Sequence, residues 1–334
     1  MDIDLSALRQ LEQERGIKME VMIQAFEEAL LHAYEKVPGH ADGARVTLDR
    51  KTGKVVVWVP ELNAEGEPIG EFDGTPKDFG RVAAATARQI IMSRIREAED
   101  ERRYGHFLAK EGDIVLGTVQ QDKDSRTVRV DLGSVEAIMP QAEQVPGENY
   151  SHGMRLRVYV VAVRKDLRGP QVVVSRTHPG LVDKLFRSEV PEIADGIVEI
   201  REIAREAGHR TKIAVRSKSA EVSAKGALIG PMGSRVRSVM NELGGEKIDI
   251  IDWCESPADF VAQALSPARV SSVTIIDAGA RKARAIVPDY QLSLAIGRDG
   301  QNARLAAKLT GWRIDIVPDT VEPTEAAEAE EPVE

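Results

Sequence analysis

The sequence contains few of the residues that build disulfide bonds and metal centres. Its one cysteine, Cys254, excludes an internal disulfide bond and a cysteine-based metal cluster. The six histidines are scattered along the chain without the spacing of a metal site. We therefore predict that the protein holds no metal and no cofactor, and that it works in a reducing compartment, the cytoplasm.

Long apolar runs are lacking too. The longest, such as residues 55–59 and 158–163, are much shorter than the roughly 20 residues that cross a bilayer. No N-terminal stretch joins a basic start to an apolar core. We therefore predict neither a signal peptide nor contact with a membrane.

Catalytic motifs and aromatic residues are equally scarce. There is no Walker A run, no nucleophile elbow and no paired-carboxylate metal motif, so we predict a protein that is not an enzyme. Aromatic residues make up 4% of the chain, which disfavours nucleic-acid binding by base stacking on a sheet.

The net charge of −9 is concentrated at the two ends of the chain. Residues 1–107 are acidic, and residues 319–334 contain seven acidic residues and no basic one. The acidic tail, 319–334, also lacks aromatic residues and is predicted to be disordered. Residues 108–318 are neutral to slightly basic, so a polyanion is compatible with the middle of the chain and disfavoured at its ends.

Hydrophobic periodicity predicts a head followed by a barrel. In residues 1–107, helical spacing covers 5–36, a β-hairpin turns at 51–54, and a long charged helix runs from 82 to about 104. Residues 108–177 change to period two, with five strands separated by glycine and aspartate turns. Five short strands in so few residues indicate a small Greek-key barrel of the oligonucleotide-binding (OB) type.

The rest of the chain is an internal repeat. "IGPMGSRVRSVMNELGGEKIDII" from Ile229 aligns with "IGRDGQNARLAAKLTGWRIDIV" from Ile296, with one gap. Each copy has helix, strand, strand, helix, glycine loop, helix and strand. We call residues 178–252 the first repeat and residues 253–318 the second repeat.

The glycine loops are the candidate functional site. One G-x-x-G spacing has little value, because about two are expected by chance in a chain with this much glycine. Here, however, both lie between two short helices, follow an isoleucine and precede an Ile-Asp-Ile strand. Glycines let a backbone approach closely, and the next helix presents free N–H groups, which suits a phosphate. This is the arrangement of the K-homology (KH) loop, which clamps about four nucleotides.

Specific roles follow from the residue types in each loop. Arg298 is suited to a phosphate, Gln301 and Asn302 to base edges or sugar hydroxyls, and Asp299 is expected to point away. In the first loop Arg235 and Arg237 supply the cations, and Pro231 and Met232 offer apolar contact to a base. A tight helix–helix turn without a ligand is the alternative for each loop. The predicted RNA-binding residues are Gly230, Pro231, Met232, Gly233, Ser234, Arg235, Arg237, Gly297, Arg298, Asp299, Gly300, Gln301, Asn302 and Arg304.

The order of these parts, together with the segments "VVSRTHPGLVDKLFRSEVPEI", "HRTKIAVRS" and "LAIGRDGQNARLAAKLTGW", resembles the NusA family of bacterial transcription elongation and termination factors. The resemblance covers residues 1 to about 318. It implies a multidomain α+β fold with an N-terminal α/β head, a long connecting helix, an S1-like OB-fold barrel and two tandem type II KH domains.

The resemblance also implies a function and partners. It implies a transcription factor that binds RNA polymerase through residues 1–107, binds single-stranded nascent RNA, and modulates pausing, termination and antitermination. Other antitermination factors are further candidate partners, and we expect a monomer. The family's longer members carry C-terminal acidic repeats, which this sequence lacks.

Two other functions are compatible with parts of the sequence. A ribosome-associated or RNA-chaperone protein would keep the RNA surface without a polymerase-binding head. An RNA-degrading enzyme of the polynucleotide phosphorylase type also combines KH and S1 domains, but its catalytic body is far larger than residues 1–107.

Overall fold

A computed structural model describes residues 9, 12–13, 18–64, 67–77, 79–120, 126–166 and 169–320. The chain divides into two compact units, Met1–His106 with Lys165–Pro170, and Phe107–Arg164 with Gln171–Glu334. Two predicted segments lie largely outside the described residues. They are the first helical stretch before residue 18 and the part of the predicted disordered tail (319–334) that begins at residue 321.

The first unit packs a helix on a small antiparallel sheet. Its elements are α1 (Met19–Glu35), β1 (Arg45–Leu48), β2 (Val55–Leu62), β3 (Pro68–Asp73) and the long helix α2 (Phe79–Leu108), which continues into the second unit. The apolar residues of α1 recur every three or four positions, and Phe26 and Leu30 are fully buried against β1 and β2. This confirms the helix predicted before residue 36 over its described part.

The predicted hairpin and long helix are present, and one strand is additional. In the hairpin, Val46 pairs with Val57 and Leu48 with Val55. The Asp49 carboxylate closes its turn by accepting hydrogen bonds from the backbone N–H groups of Lys51 and Thr52. The additional strand, β3, pairs with β2 and has six exposed residues. It therefore lacks the alternation by which a half-buried strand is recognised.

The second unit begins with the predicted barrel. Its strands are β4 (Ile114–Gln120), β5 (Val128–Asp131), β6 (Glu136–Met139), β7 (Arg155–Asp166) and β8 (Gly169–Ser175), closed in the order β4-β5-β6-β8-β7. All described neighbouring pairs are antiparallel except β6 and β8, which run parallel. Alternate residues such as Val130, Val158 and Val172 are fully buried inside it.

The two repeats fold with the same topology. The first contains α3 (Pro179–Glu189), α4 (Pro191–Ala194), β9 (Val198–Glu206), β10 (Arg210–Ser217), α5 (Ala224–Ile229), α6 (Ser234–Glu242) and β11 (Lys247–Asp252). The second contains α7 (Pro257–Ala264), β12 (Ser272–Asp277), β13 (Lys282–Val287), α8 (Leu292–Ile296), α9 (Gln301–Thr310) and β14 (Arg313–Pro318). In each repeat the central strand is antiparallel to the preceding strand and parallel to the last one.

The two repeats share one hydrophobic core. On β10, Ile213 and Val215 face the helices of the first repeat, whereas Ala214 faces the other side of the sheet. That other side packs against α7 and α9 of the second repeat, where Phe260 and Leu305 belong to the same buried cluster as Ala214. The second repeat therefore covers the sheet of the first.

A buried lysine reinforces the contact between the repeats. Lys212 is fully buried, and its Nζ donates to Ser266 O at 2.6 Å and to Asp249 Oδ2 at 3.2 Å. Burial lowers the pKa of Lys212, and the neighbouring Asp249 carboxylate opposes that shift. Because Ser266 follows the end of α7, the ammonium group lies where a helix C-terminus favours positive charge.

A second buried ion pair joins two segments of the first repeat. Arg205 Nε and Nη2 donate to the two carboxylate oxygens of Glu246, each at 2.9 Å, and both side chains are almost fully buried. Glu246 also accepts hydrogen bonds from Gly208 N and Thr211 Oγ1. The hydrophobic periodicity of the sequence does not predict this network, because the two charged residues lie 41 positions apart in the chain.

Candidate nucleic-acid interface

The two glycine loops have the same backbone conformation. We call residues 230–233 loop 1 and residues 297–300 loop 2. The first glycines, Gly230 and Gly297, have φ/ψ of 70°/175° and 76°/173°, a region open almost only to glycine. The second glycines, Gly233 and Gly300, are left-handed at 75°/20° and 72°/11°. The repeat seen in the sequence is therefore a repeat in geometry.

Each loop also holds one non-glycine residue in the left-handed conformation. Met232 has φ 50° and ψ 26°, and Asp299 at the equivalent position has φ 51° and ψ 30°. Such a residue costs about 1–2 kcal/mol, and aspartate tolerates the conformation better than methionine. The loop geometry is therefore maintained at a cost in both repeats.

Close packing explains the first glycine of each loop. A Cβ on Gly297 would lie 2.8 Å from the backbone N of Asn302, and a Cβ on Gly230 would lie 2.7 Å from Arg235 Cγ. Both distances are shorter than the van der Waals contact of a Cβ atom. Each glycine is therefore favoured by the packing of the neighbouring residue as well as by its own φ.

Asn302 and Arg235 occupy equivalent positions, and each binds backbone carbonyl groups behind its loop. We call these hydrogen bonds the frame of the loop. Asn302 is 2% exposed, and its Nδ2 is shared between the carbonyl oxygens of Leu265, Ala295 and Leu294 at 2.9, 3.0 and 3.3 Å. This geometry corrects the expectation that Asn302 reaches a base edge or sugar hydroxyl, because its side chain is buried and its amide protons are already engaged.

Arg235 is similarly engaged. Its Nη1 donates to Ala227 O at 2.7 Å and to Glu192 Oε2 at 2.9 Å. Ala227 lies three residues before the first glycine, as Leu294 does in the other repeat, so the two unlike side chains bind equivalent carbonyls. In this structure the charge of Arg235 is balanced by Glu192, and the expectation that Arg235 supplies a cation to RNA stays a prediction.

Arg237 and Arg304 lie over the carbonyl oxygens of their loops. Arg237 Nε donates to Gly233 O at 3.1 Å, and its Nη2 donates to Met232 O. Arg304 Nη1 donates to Asp299 O at 3.2 Å, and its Nε donates to Glu206 Oε1 at 2.6 Å. Both arginines are exposed, and Arg304 is paired with the Glu206 carboxylate.

The middle residues of both loops project into solvent. Met232 is 94% exposed, and the Arg298 and Asp299 side chains are 95% and 88% exposed. Asp299 Oδ2 lies 3.6 Å from Arg298 Nε. The helices that follow, α6 and α9, begin after a glycine with no side-chain cap. The first N–H of each helix donates to a carbonyl of its own loop, Ser234 N to Pro231 O and Gln301 N to Arg298 O, and the N–H groups that follow have no capping side chain.

Loop 2 borders a groove of about 820 Å³ that includes residues of both repeats. We call it the loop 2 groove. The second repeat contributes Gly297, Arg298, Asp299, Gln301, Asn302 and Arg304, and the first contributes Glu206, Gly208, His209, Arg210, Gly245 and Lys247. The predicted residues of loop 2 thus come together, with Gln301 and Arg304 beside Glu206. The predicted residues of loop 1 do not line this groove.

Sequence reasoning missed the contribution of the first repeat to this groove. Glu206 lies 98 residues before Arg304, at the end of a strand whose pattern shows only its burial. Lys247 and Arg210 begin neighbouring strands, and their side chains lie on the groove because those strands are parallel and in register. The alignment of the repeats was the available signal for topology, but it contains no information on how one repeat packs on the other.

Models of known protein families match most of the chain. A NusA-like first KH domain matches residues 176–253, a NusA-like second KH domain matches 257–322, and the NusA N-terminal domain matches 5–67 and 60–101.

The chain belongs to the NusA family.

Full-length relatives agree with this assignment. The transcription termination/antitermination protein NusA of Mycobacterium tuberculosis is 57% identical over 330 residues, covering 97% of this chain and 95% of its own. NusA of Bacillus subtilis is 46% identical over 357 residues, covering 98% and 96%. NusA of Thermus thermophilus is 39% identical, covering 93% and 88%.

The family assignment settles the fold class. The NusA head, the closed five-stranded barrel and the two KH domains make the chain a multidomain α+β protein, as predicted. The boundaries at 107/108, 177/178 and 252/253 stay predictions. In the described part of the chain, no helix is long and apolar enough to cross a membrane, and no group of three His, Cys, Asp or Glu side chains is placed to hold a metal.

Proposed function

We propose that this protein is a non-enzymatic RNA-binding transcription factor that modulates pausing, termination and antitermination. It holds single-stranded nascent RNA at loops 1 and 2 and binds RNA polymerase through residues 1–107. It works in the cytoplasm as a monomer, with other antitermination factors as further partners. The observation that carries the proposal is the shared backbone of the two loops, each followed by an uncapped helix N-terminus.

The proposed mechanism is mechanical. Phosphates lie against the glycines and the N-terminal turns of α6 and α9, where no Cβ intrudes and the helix dipole favours negative charge. Arg237, Arg304 and Arg298 add cationic contacts, and Met232 offers its exposed side chain to a base. With the head on the polymerase and the repeats on the emerging RNA, the protein biases which RNA structures form during a pause.

The RNA part of this proposal is tested with the double variant Met232→Asp and Arg298→Asp in the full chain. Aspartate already occupies the left-handed position of loop 2, so the fold tolerates it in loop 1. We expect the affinity for a single-stranded RNA oligomer to fall roughly tenfold or more, and the salt dependence to weaken, because a phosphate contact is lost and two negative charges are added.

A matched control makes the same two changes elsewhere. Met92→Asp and Arg88→Asp alter exposed residues of α2 in the first unit and should leave RNA affinity unchanged. The loop assignment is wrong if the loop variant binds RNA with wild-type affinity and salt dependence.

The polymerase part needs a separate measurement. We expect the full chain to co-elute with purified RNA polymerase in the absence of RNA, and the loop variant to do so equally well. In a pausing assay the loop variant should lose much of its effect. Failure of the wild-type chain to bind polymerase, with RNA binding intact, would favour an RNA chaperone instead.

A further inference from the structure

Two carboxylates line the loop 2 groove, Asp299 of the loop itself and Glu206 of the first repeat, and Glu206 lies against Arg304. Glu206 Oε1 accepts a hydrogen bond from Arg304 Nε at 2.6 Å, and Glu206 Oε2 accepts one from Gln301 Nε2 at 2.8 Å. The Glu206 side chain is 25% exposed. Its pKa is lowered, first by the hydrogen bond from Arg304 and next by that from Gln301, against the effect of burial. The carboxylate is therefore ionised at neutral pH and engages two residues assigned to RNA.

This contact is not needed to hold the two repeats together. The repeats already share the buried cluster that contains Ala214, Phe260 and Leu305, and Lys212 joins them by a buried hydrogen bond to Ser266 O. The Glu206 contact lies at the edge of this interface, on the groove. An exposed ion pair of this kind adds only about 0–1 kcal/mol to stability, so its larger effect is on the groove itself.

Loop 1 offers a comparison within the same chain. Arg237 is equivalent to Arg304, and Ser234 is equivalent to Gln301. In the part of the chain that the structure describes, no carboxylate lies within ion-pair distance of Arg237, whose hydrogen bonds go to Gly233 O and Met232 O. At this arginine position, the described residues therefore provide an acidic partner in loop 2 and not in loop 1.

We propose that Glu206 is an internal competitor of RNA at loop 2, occupying Arg304 and Gln301 until an RNA phosphate displaces it. The inference rests on the proposed RNA binding at these loops. When an RNA phosphate takes Arg304, the freed Glu206 carboxylate takes up a cation from solution, which offsets the counterion released from the RNA. Loop 2 therefore binds polyanions weakly unless a phosphate is placed to take over the hydrogen bonds of Arg304. Glu206 thereby lowers the affinity of loop 2 for RNA, and it lowers the dependence of that affinity on salt.

The test compares the full-length wild-type chain with Glu206→Gln, which removes the charge and keeps the shape. Binding of a fluorescent single-stranded RNA oligomer is titrated by anisotropy between about 50 and 200 mM salt. We expect Glu206→Gln to bind roughly threefold to tenfold more tightly at low salt. We also expect the slope of log affinity against log salt to steepen by about 0.7, the value for one added phosphate contact on a single strand.

Two further variants keep the test specific. Glu202→Gln makes the same change at an exposed position of the same strand and should change RNA affinity less than twofold. In an Arg304→Gln background, Glu206→Gln should have little effect, because the group that Glu206 competes for is gone. Circular dichroism and thermal unfolding of each variant check that the fold is retained.

The outcomes separate this inference from the proposed function. Salt-dependent RNA binding by the wild-type chain tests the function, and its absence overturns both. With wild-type binding present, unchanged or weaker binding by Glu206→Gln overturns the competitor role. Weaker binding would make Glu206 a positioning residue for Gln301 and Arg304.

Discussion

Loops 1 and 2 have one backbone and two surface chemistries. The left-handed middle residue is apolar Met232 in loop 1 and acidic Asp299 in loop 2, yet their φ angles differ by only a degree. The frame behind each loop is also conserved in position but not in residue type, because Arg235 and Asn302 bind equivalent carbonyls. The comparison indicates that the shared backbone conformation of the loops depends on the glycines and the buried hydrogen bonds. The exposed middle residues, Met232 and Asp299, can differ.

The largest effect should come from the frame of loop 2. Asn302→Ala leaves three buried carbonyls without their amide donor and should lower the free energy of unfolding by roughly 2–4 kcal/mol. The equivalent change, Arg235→Ala, should cost roughly 1–2 kcal/mol, because its site is partly exposed and water can replace the lost donor. Urea unfolding midpoints at unchanged slope measure both values. If the two variants lost equal free energies of unfolding, the difference in burial between Asn302 and Arg235 would not explain their contributions to stability.

A smaller effect is expected from the first glycines. Gly297→Ala should destabilise by roughly 1–3 kcal/mol, since the new Cβ meets both an unfavourable φ and the backbone of Asn302. Gly230→Ala should cost less, because its Cβ meets the movable side chain of Arg235. Thermal unfolding and RNA titration of the two variants make the comparison. A larger loss for Gly230→Ala would contradict the packing argument.

The smallest effect concerns the tips. Met232→Asn should raise the free energy of unfolding by up to about 1 kcal/mol, because asparagine tolerates the left-handed conformation and the exposed methionine side chain contributes no packing. Asp299→Asn, the matched change in loop 2, should leave it unaltered. Differential scanning calorimetry at one buffer pH resolves the pair, and a destabilised Met232→Asn would show that Met232 packs in solution.

The sequence predicted what is local or repeated. The hairpin at 51–54, the long helix, the period-two barrel and the two copies of the glycine loop each have a signal within a short window, and the structure contains all of them. The strand β3 was missed because all six of its residues are exposed, so no hydrophobic alternation marks it.

Interactions between distant segments explain the remaining differences. Asn302 was assigned to RNA because polar residues in a loop are usually exposed, and only the packing of α7 and α8 around it reveals its burial. Glu206 and the Arg205–Glu246 pair could not be found, because the partners lie 98 and 41 residues apart and depend on how strands and repeats pack.

The shared core between the repeats has a consequence for how long RNA must be. Because Ala214, Phe260 and Leu305 belong to one buried cluster, the two loops are fixed in the same body. An RNA strand already held by one loop meets the other as an intramolecular partner, at an effective concentration set by the strand that joins them. If both loops bind RNA as proposed, affinity should therefore rise in a step once the oligomer is long enough to reach both loops.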